Sequence, residues 1–177
     1  MKTALMVLLG LPFLLAPTSA PTTTSTNEQK PTITLWDGGD YLMGTKPSLI
    51  FAMWEDGRVV RRVGPKLMVG KVTQSEVTST MELAEREGFF TSELKTLAVP
   101  DGPLRSLAAT WHGKHAALAF DEHHIDPQKV DEHASPSREE VMKFVGTWTR
   151  VRKQLDDLVP DELRIVHDAL KLEYPKP

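Results

Sequence analysis

The sequence predicts an α+β fold: an antiparallel sheet of about five strands made from two hairpins, with one helix between them and a long amphipathic C-terminal helix packed on the sheet. Three observations carry this expectation. Asp56-Gly57 lies between the β-rich runs Ser48 to Trp54 and Arg58 to Val63, and both of its residues tolerate the positive φ of a tight hairpin turn. Gly113-Lys114 sits between two further alternating runs. Ser137-Arg138-Glu139-Glu140 has capping-box spacing and opens a run in which Val141, Phe144, Val145, Trp148, Val151, Leu155 and Leu158 form one apolar stripe.

The chain starts with export features. Lys2, the 13-residue apolar run Ala4 to Ala16 and the small residues Pro17-Thr18-Ser19-Ala20 read as a signal peptide over 1–20, which directs the protein to the periplasm or the extracellular space. That run is shorter than the roughly 20 residues a membrane-crossing helix needs, so no transmembrane span is expected. Pro21 follows the cleavage point and lacks a backbone N–H, which disfavours cleavage; an uncleaved segment would tether the protein to the membrane. Residues 21–31, PTTTSTNEQKP, bury too little apolar surface to offset their ordering entropy and read as a flexible Thr/Pro-rich leader. Residues 32–177 are then a single globular α+β domain. Removing residues 1–20 from the 177 leaves 157, enough for one core.

Within that domain Thr32 to Trp36 is a short alternating strand. With Asp56-Gly57 as a two-residue turn, Trp54 faces Val59, Met53 faces Val60 and Ile50 faces Val63, so apolar meets apolar. Lys66 to Val72 adds a strand. Thr73-Gln74-Ser75-Glu76 repeats the capping-box spacing, and Val77, Met81 and Ala84 recur at helical intervals up to Gly88, giving about four turns with Phe89-Phe90 as a core plug. In the second hairpin a Gly113-Lys114 turn sets His112 opposite His115, Trp111 opposite Ala116 and Leu107 opposite Phe120. Large side chains fall on one face and Ala108, Thr110, Ala117 and Ala119 on the other. Pro160 ends the long helix, and Leu163, Val166 and Leu170 suggest a short third helix over Asp161 to Tyr174.

Composition narrows the chemistry. There is no cysteine, hence no disulfide and no thiol for lipid attachment. Losing Lys2 takes the formal net charge from −3 to −4, which does not suit nucleic acid. Five of the six histidines lie between His112 and His133, interleaved with Asp and Glu, so His112, His115, His123 and His133 are candidate ligands for zinc or copper. The spacing also fits solvated loop residues, and adjacent His123 and His124 at a strand end would point to opposite sides. Gly64 to Lys71 fails as a phosphate loop, because five residues separate its glycines and Val72 follows the lysine. Ser106 lies about six residues, or roughly 20 Å, from His112 along its strand, too far to form a triad. Asp37 and Asp40 flank Gly38-Gly39, a composition any turn favours. Trp111 and Trp148 fall on core faces, which leaves Trp36 and Trp54 as candidates for an exposed ligand surface.

The stretch from Pro47 to Phe90, with its Asp56-Gly57 turn, capped helix and Phe89-Phe90, resembles small exported bacterial α+β domains of unknown function. The resemblance implies the same strand, turn, strand and helix order and brings no catalytic residues. Three functions are compatible with the sequence. The first is a non-catalytic binding or interaction module of the cell envelope, with an envelope protein or ligand as partner; the second is a metal-binding protein using 112–133; the third is an enzyme with a dispersed site.

Overall fold

The structure is a computed structural model that describes residues 30–38, 46–99, 102–131, 133–166, 172 and 174. The expected signal peptide, Asp40 and all but two residues of the leader lie outside the described residues. Among the described residues eight strands form one sheet: β1 (Ile33–Asp37), β2 (Ser48–Met53), β3 (Arg58–Val63), β4 (Lys66–Lys71), β5 (Thr96–Leu97), β6 (Arg105–Trp111), β7 (Lys114–Phe120) and β8 (Asp161–Ile165). Their order is β5-β7-β6-β1-β2-β3-β4-β8. Two α-helices, α1 (Gln74–Arg86) and α2 (Arg138–Asp157), complete the elements that matter below.

This overturns the expected fold on three counts. The sheet has eight strands, not about five, and it is mixed, because β5 runs parallel to β7 while the other pairings are antiparallel. The long helix, 20 residues, is not C-terminal, since β8 follows it. Where a short third helix was expected, Asp161 to Ile165 is a strand on the edge of β4. Leu163 and Ile165 alternate as well as they fit a helix, and β4 offered an unfilled row of hydrogen-bonding groups.

Both expected hairpins form, each in a different register. In the first, Ala52 pairs Val60 and Met53 pairs Val59, one residue from the expected alignment. Trp54 N–H donates to Arg58 O, and Gly57 N–H returns to Trp54 O, so the loop has three residues with Gly57 at φ +82°. That is a type I turn closed by a glycine bulge rather than a two-residue turn. In the second hairpin Trp111 pairs Lys114 and Ala109 pairs Ala116, making His112-Gly113 the turn, with φ of 47° and 74°. The shift is two residues, so each side chain stays on its expected face.

The sheet buries apolar side chains on both faces. One face carries Ile33, Leu35, Phe51, Met53, Val59, Leu107 and Leu118 against the helices. Val77, Met81 and Ala84 of α1 and Phe144, Trp148, Val151 and Leu155 of α2 complete this core. The other face gathers Trp36, Leu49, Ala52, Trp54 and Val60, with Leu172 and Tyr174 packed against them. Arg61 of β3 fastens α2 from below: its Nη2 donates to the carbonyls of Leu155 (2.5 Å) and Asp156 (3.1 Å), satisfying acceptors that the last helical turn leaves open. Thr147 Oγ1 donates to Glu87 O at 2.7 Å, joining α2 to the end of α1.

Both helices begin with complete capping boxes. Thr73 Oγ1 accepts from Glu76 N–H while Glu76 accepts from Thr73 N–H, and Ser137 and Glu140 repeat the arrangement. The hydroxyls of Thr73 and Ser137, and then their backbone N–H groups, hold the carboxyls of Glu76 and Glu140 below the ordinary glutamate range. A carboxyl with a lowered folded pKa stabilises the fold above its unfolded value and loses that contribution as pH falls through the folded one. Thr73→Ala removes the side-chain acceptor that caps α1 and should cost about 1 kcal/mol by denaturant titration at neutral pH. Glu76→Gln with Glu140→Gln should flatten the fall in melting temperature below about pH 4, near the unperturbed glutamate value. Parallel acid limbs in variant and parent would contradict the capping account.

Candidate functional site

The strand that ends at Phe120 turns sharply, and that turn forms one side of a recess against α2. Asp121 is fully buried, and its Oδ1 accepts the backbone N–H groups of His123 (3.2 Å) and His124 (3.1 Å). This Asx-type turn reverses the chain away from β7 and toward α2. Asp126 then caps the short 3₁₀ turn Pro127–Lys129 by accepting Gln128 N–H at 3.0 Å, and that bond holds the Asp126 carboxyl below its usual range.

Between this loop and α2 lies a cleft of about 360 Å³, at the lower end of the size of small-ligand sites. Phe120, Ile125, Pro127, Val145 and Trp148 give it apolar walls, and Glu122 and Arg152 supply charge. Phe120 meets Phe144 and Trp148 edge to face at centroid distances of 5.9 and 5.8 Å, which fixes the floor. Glu122 is held on both oxygens: Oε1 accepts the Trp148 indole N–H at 2.7 Å and Oε2 pairs with Arg105. Each of its oxygens is thus engaged by a donor from a different element. Arg152 donates from Nε to Asp156 at 2.9 Å, while its Nη1 is buried without a hydrogen-bond partner. The cleft therefore combines aromatic and aliphatic surface with the charged side chains of Glu122 and Arg152.

The residues singled out from sequence lie elsewhere. His112 is a turn residue stacked on Trp111 at 4.4 Å, and His115 Nδ1 lies 3.0 Å from Thr110 Oγ1 at the same hairpin tip. His123 is exposed, and its backbone rather than its ring engages Asp121. His124, adjacent to it, is the histidine whose ring reaches Asp121, with Nδ1 3.0 Å from both oxygens. His133 is exposed before α2, with its N–H on Asp131 Oδ1 at 2.8 Å. Among the described residues no three His, Asp or Glu side chains converge to hold a metal.

Trp36 and Trp54 are buried, 7 % and 2 % exposed, so neither presents the exposed aromatic surface expected of it. Trp36 meets Tyr174 edge to face at 5.8 Å, and the Arg58 guanidinium sits 4.2 Å over the Trp54 ring. Both faces of β1 to β3 are covered, a possibility the hairpin pattern alone did not reveal. Sequence reasoning placed Trp148 and Phe120 on core faces but missed Glu122, Ile125 and Arg152. A usable signal existed in α2, where Val145, Trp148, Thr149 and Arg152 recur at helical spacing and bring an arginine to the margin of the apolar stripe.

No protein-family model, no curated protein and no solved structure matches this chain. Among the described residues no helix is long and apolar enough to cross a membrane. The geometry of the cleft is thus the basis for a functional reading.

Proposed function

We propose that the protein is an exported, non-catalytic binding module of the cell envelope, which receives an apolar group bearing a hydrogen-bond acceptor in the cleft between the Glu122 loop and α2. The observation that carries this reading is the cleft's composition: five apolar walls with the charged side chains of Glu122 and Arg152 on its lining. The walls supply apolar contact area, and the Arg152 guanidinium on the lining supplies positive charge for an anionic or acceptor group. Export rests on the sequence of residues 1–20.

The probe suited to this chemistry is 1-anilinonaphthalene-8-sulfonate, an apolar bicycle with an anionic end. It should bind saturably at one site, with a dissociation constant between about 1 and 100 μM. Val145→Asp should weaken it by apolar loss and Arg152→Ala by loss of the donor, each by about tenfold or more, with near-ultraviolet circular dichroism checking the fold. Binding unchanged in both variants would remove the cleft as the site. Sequencing the N-terminus of protein recovered outside the cytoplasm tests export: a start near Pro21 means release, an intact Met1 means a tether, and retention inside the cell would contradict export.

A further inference from the structure

The hairpin of β3 and β4 lies in a one-sided charge run: from Gly57 to Ser75 there are five Lys or Arg and no Asp or Glu, although the whole chain has a formal net charge of −3. We propose that the tip of this hairpin docks on a membrane surface of anionic lipid, with Val63 and Pro65 entering the interface while Lys46, Arg62 and Lys66 meet the headgroups. The inference does not depend on the cleft.

The hairpin presents its tip on a firm base. β3 and β4 pair along their whole length, from Arg58 with Lys71 to Val63 with Lys66, so Gly64-Pro65 is a two-residue turn. Gly64 has φ +58°, which glycine allows at the first turn position, and proline fixes the second. Residues 63–66 are all exposed, Val63 by 50 %. Beside them Ile165, 41 % exposed, pairs with Met68 and extends the aliphatic surface at this end of the sheet. Arg62 Nε donates to Leu49 O at 2.8 Å, which holds its guanidinium next to the start of β2, and exposed Lys46 stands two residues before that strand.

The charge at this end selects the partner. Among the described residues none of Lys46, Arg62 and Lys66 forms an ion pair. The acidic side chains around them are already placed. Asp37 lies beyond β2, opposite Ser48, and Glu162 accepts from Arg164 Nη2 at 2.7 Å. Asp156 and Asp157, at the end of α2, are paired with Arg152 and Lys153. The tip therefore offers cations to an anionic surface. Each Lys or Arg near such a surface strengthens binding about fivefold at physiological salt. The apolar tip separates lipid from a soluble polyanion: Val63 and Pro65 gain by leaving water for the acyl boundary, whereas a polyanion in solution offers them nothing. Lysine and arginine stems also reach headgroups while aliphatic neighbours sit deeper.

Flotation of the full chain with phosphatidylcholine vesicles, with and without about 30 % phosphatidylglycerol, measures this directly. Residues 1–20 are common to parent and variants, so their own affinity for lipid cancels in each ratio. The parent should partition at least about tenfold more strongly into the anionic vesicles, and that excess should shrink as NaCl rises from about 0.05 to about 0.5 M. Lys46→Glu with Lys66→Glu should remove the excess, with an unchanged melting temperature because both side chains are exposed. Val63→Ser should weaken binding to anionic vesicles about three- to tenfold and leave its salt dependence as in the parent. Equal partitioning into both vesicle types, or an excess that survives the charge reversal, would overturn the proposal. So would heparin binding as tight as that of the vesicles and indifferent to Val63→Ser, which would assign these cations to a soluble polyanion.

Discussion

Trp148→Ala should lower the unfolding free energy by about 3–5 kcal/mol, the usual cost of removing a large aromatic from a core. The side chain is 1 % exposed, packs on Phe120 at 5.8 Å and donates its indole N–H to Glu122 at 2.7 Å. Truncation opens a void beneath α2 and also leaves Glu122 Oε1 without its donor, so a cavity term and an unpaired polar group add. For a domain of this size the melting temperature should fall by roughly 10 °C, read by circular dichroism or calorimetry. Trp148→Phe separates the two effects: it keeps most of the volume and loses only the N–H, at about 1–2 kcal/mol. A Trp148→Ala loss no larger than that of exposed Met142→Ala, which should stay within about 0.5 kcal/mol, would show that α2 is not anchored by this residue.

Gly57→Ala should be the most damaging of the turn substitutions, at about 2–4 kcal/mol, because two penalties coincide there. Gly57 has φ +82°, where a side chain is strained, and an added Cβ would collide with the Val72 carbonyl oxygen. Backbone cannot swing aside as a side chain could, and Val72 N–H is itself bonded to Gly57 O at 2.9 Å, locking the end of β4 to the first hairpin. Gly64 and Gly113 are the controls. Both have positive φ, +58° and +74°, but nothing lies within 4 Å of an added Cβ. Alanine there should cost only the backbone strain, about 1 kcal/mol. Equal losses at positions 57 and 113 in denaturant titrations would mean that the Val72 contact relaxes freely.

The two hairpins show where sequence reasoning succeeds and where it slips. Asp56-Gly57 announced a turn, yet Gly57 closes a three-residue loop, and the resulting one-residue slip reverses which face each side chain meets. Hydrophobicity could not correct it, because Met53 and Val59 serve one core while Trp54 and Val60 serve the other. In the second hairpin alternation was equally silent, since a two-residue shift preserves the faces; the turn adopted has His112 at positive φ, where glycine or asparagine is expected. The capping boxes were legible because their whole signal lies within four residues. β5 has two residues and β8 is held by a strand some 90 positions away, so neither carries a local pattern strong enough to read. The cleft was hidden for the same reason, its walls being contributed by β7, a polar loop and α2.

The central position of β1 has a consequence for how the molecule assembles in time. It is flanked by β2 and β6, and Ile33 pairs with Ala109, 76 residues further along the chain. The meander from β1 to β4 can form from neighbouring segments, but the middle of the sheet waits for β6, which comes only after α1 and β5 in the chain. Non-local closure of this kind slows folding, because a long loop must lose its freedom before the contact rewards it. A chain synthesised only as far as Pro103 holds a half-sheet whose inner strand is still an open edge. Closure of the sheet's centre is thereby tied to the synthesis of β6, and closure of its far side to that of β8.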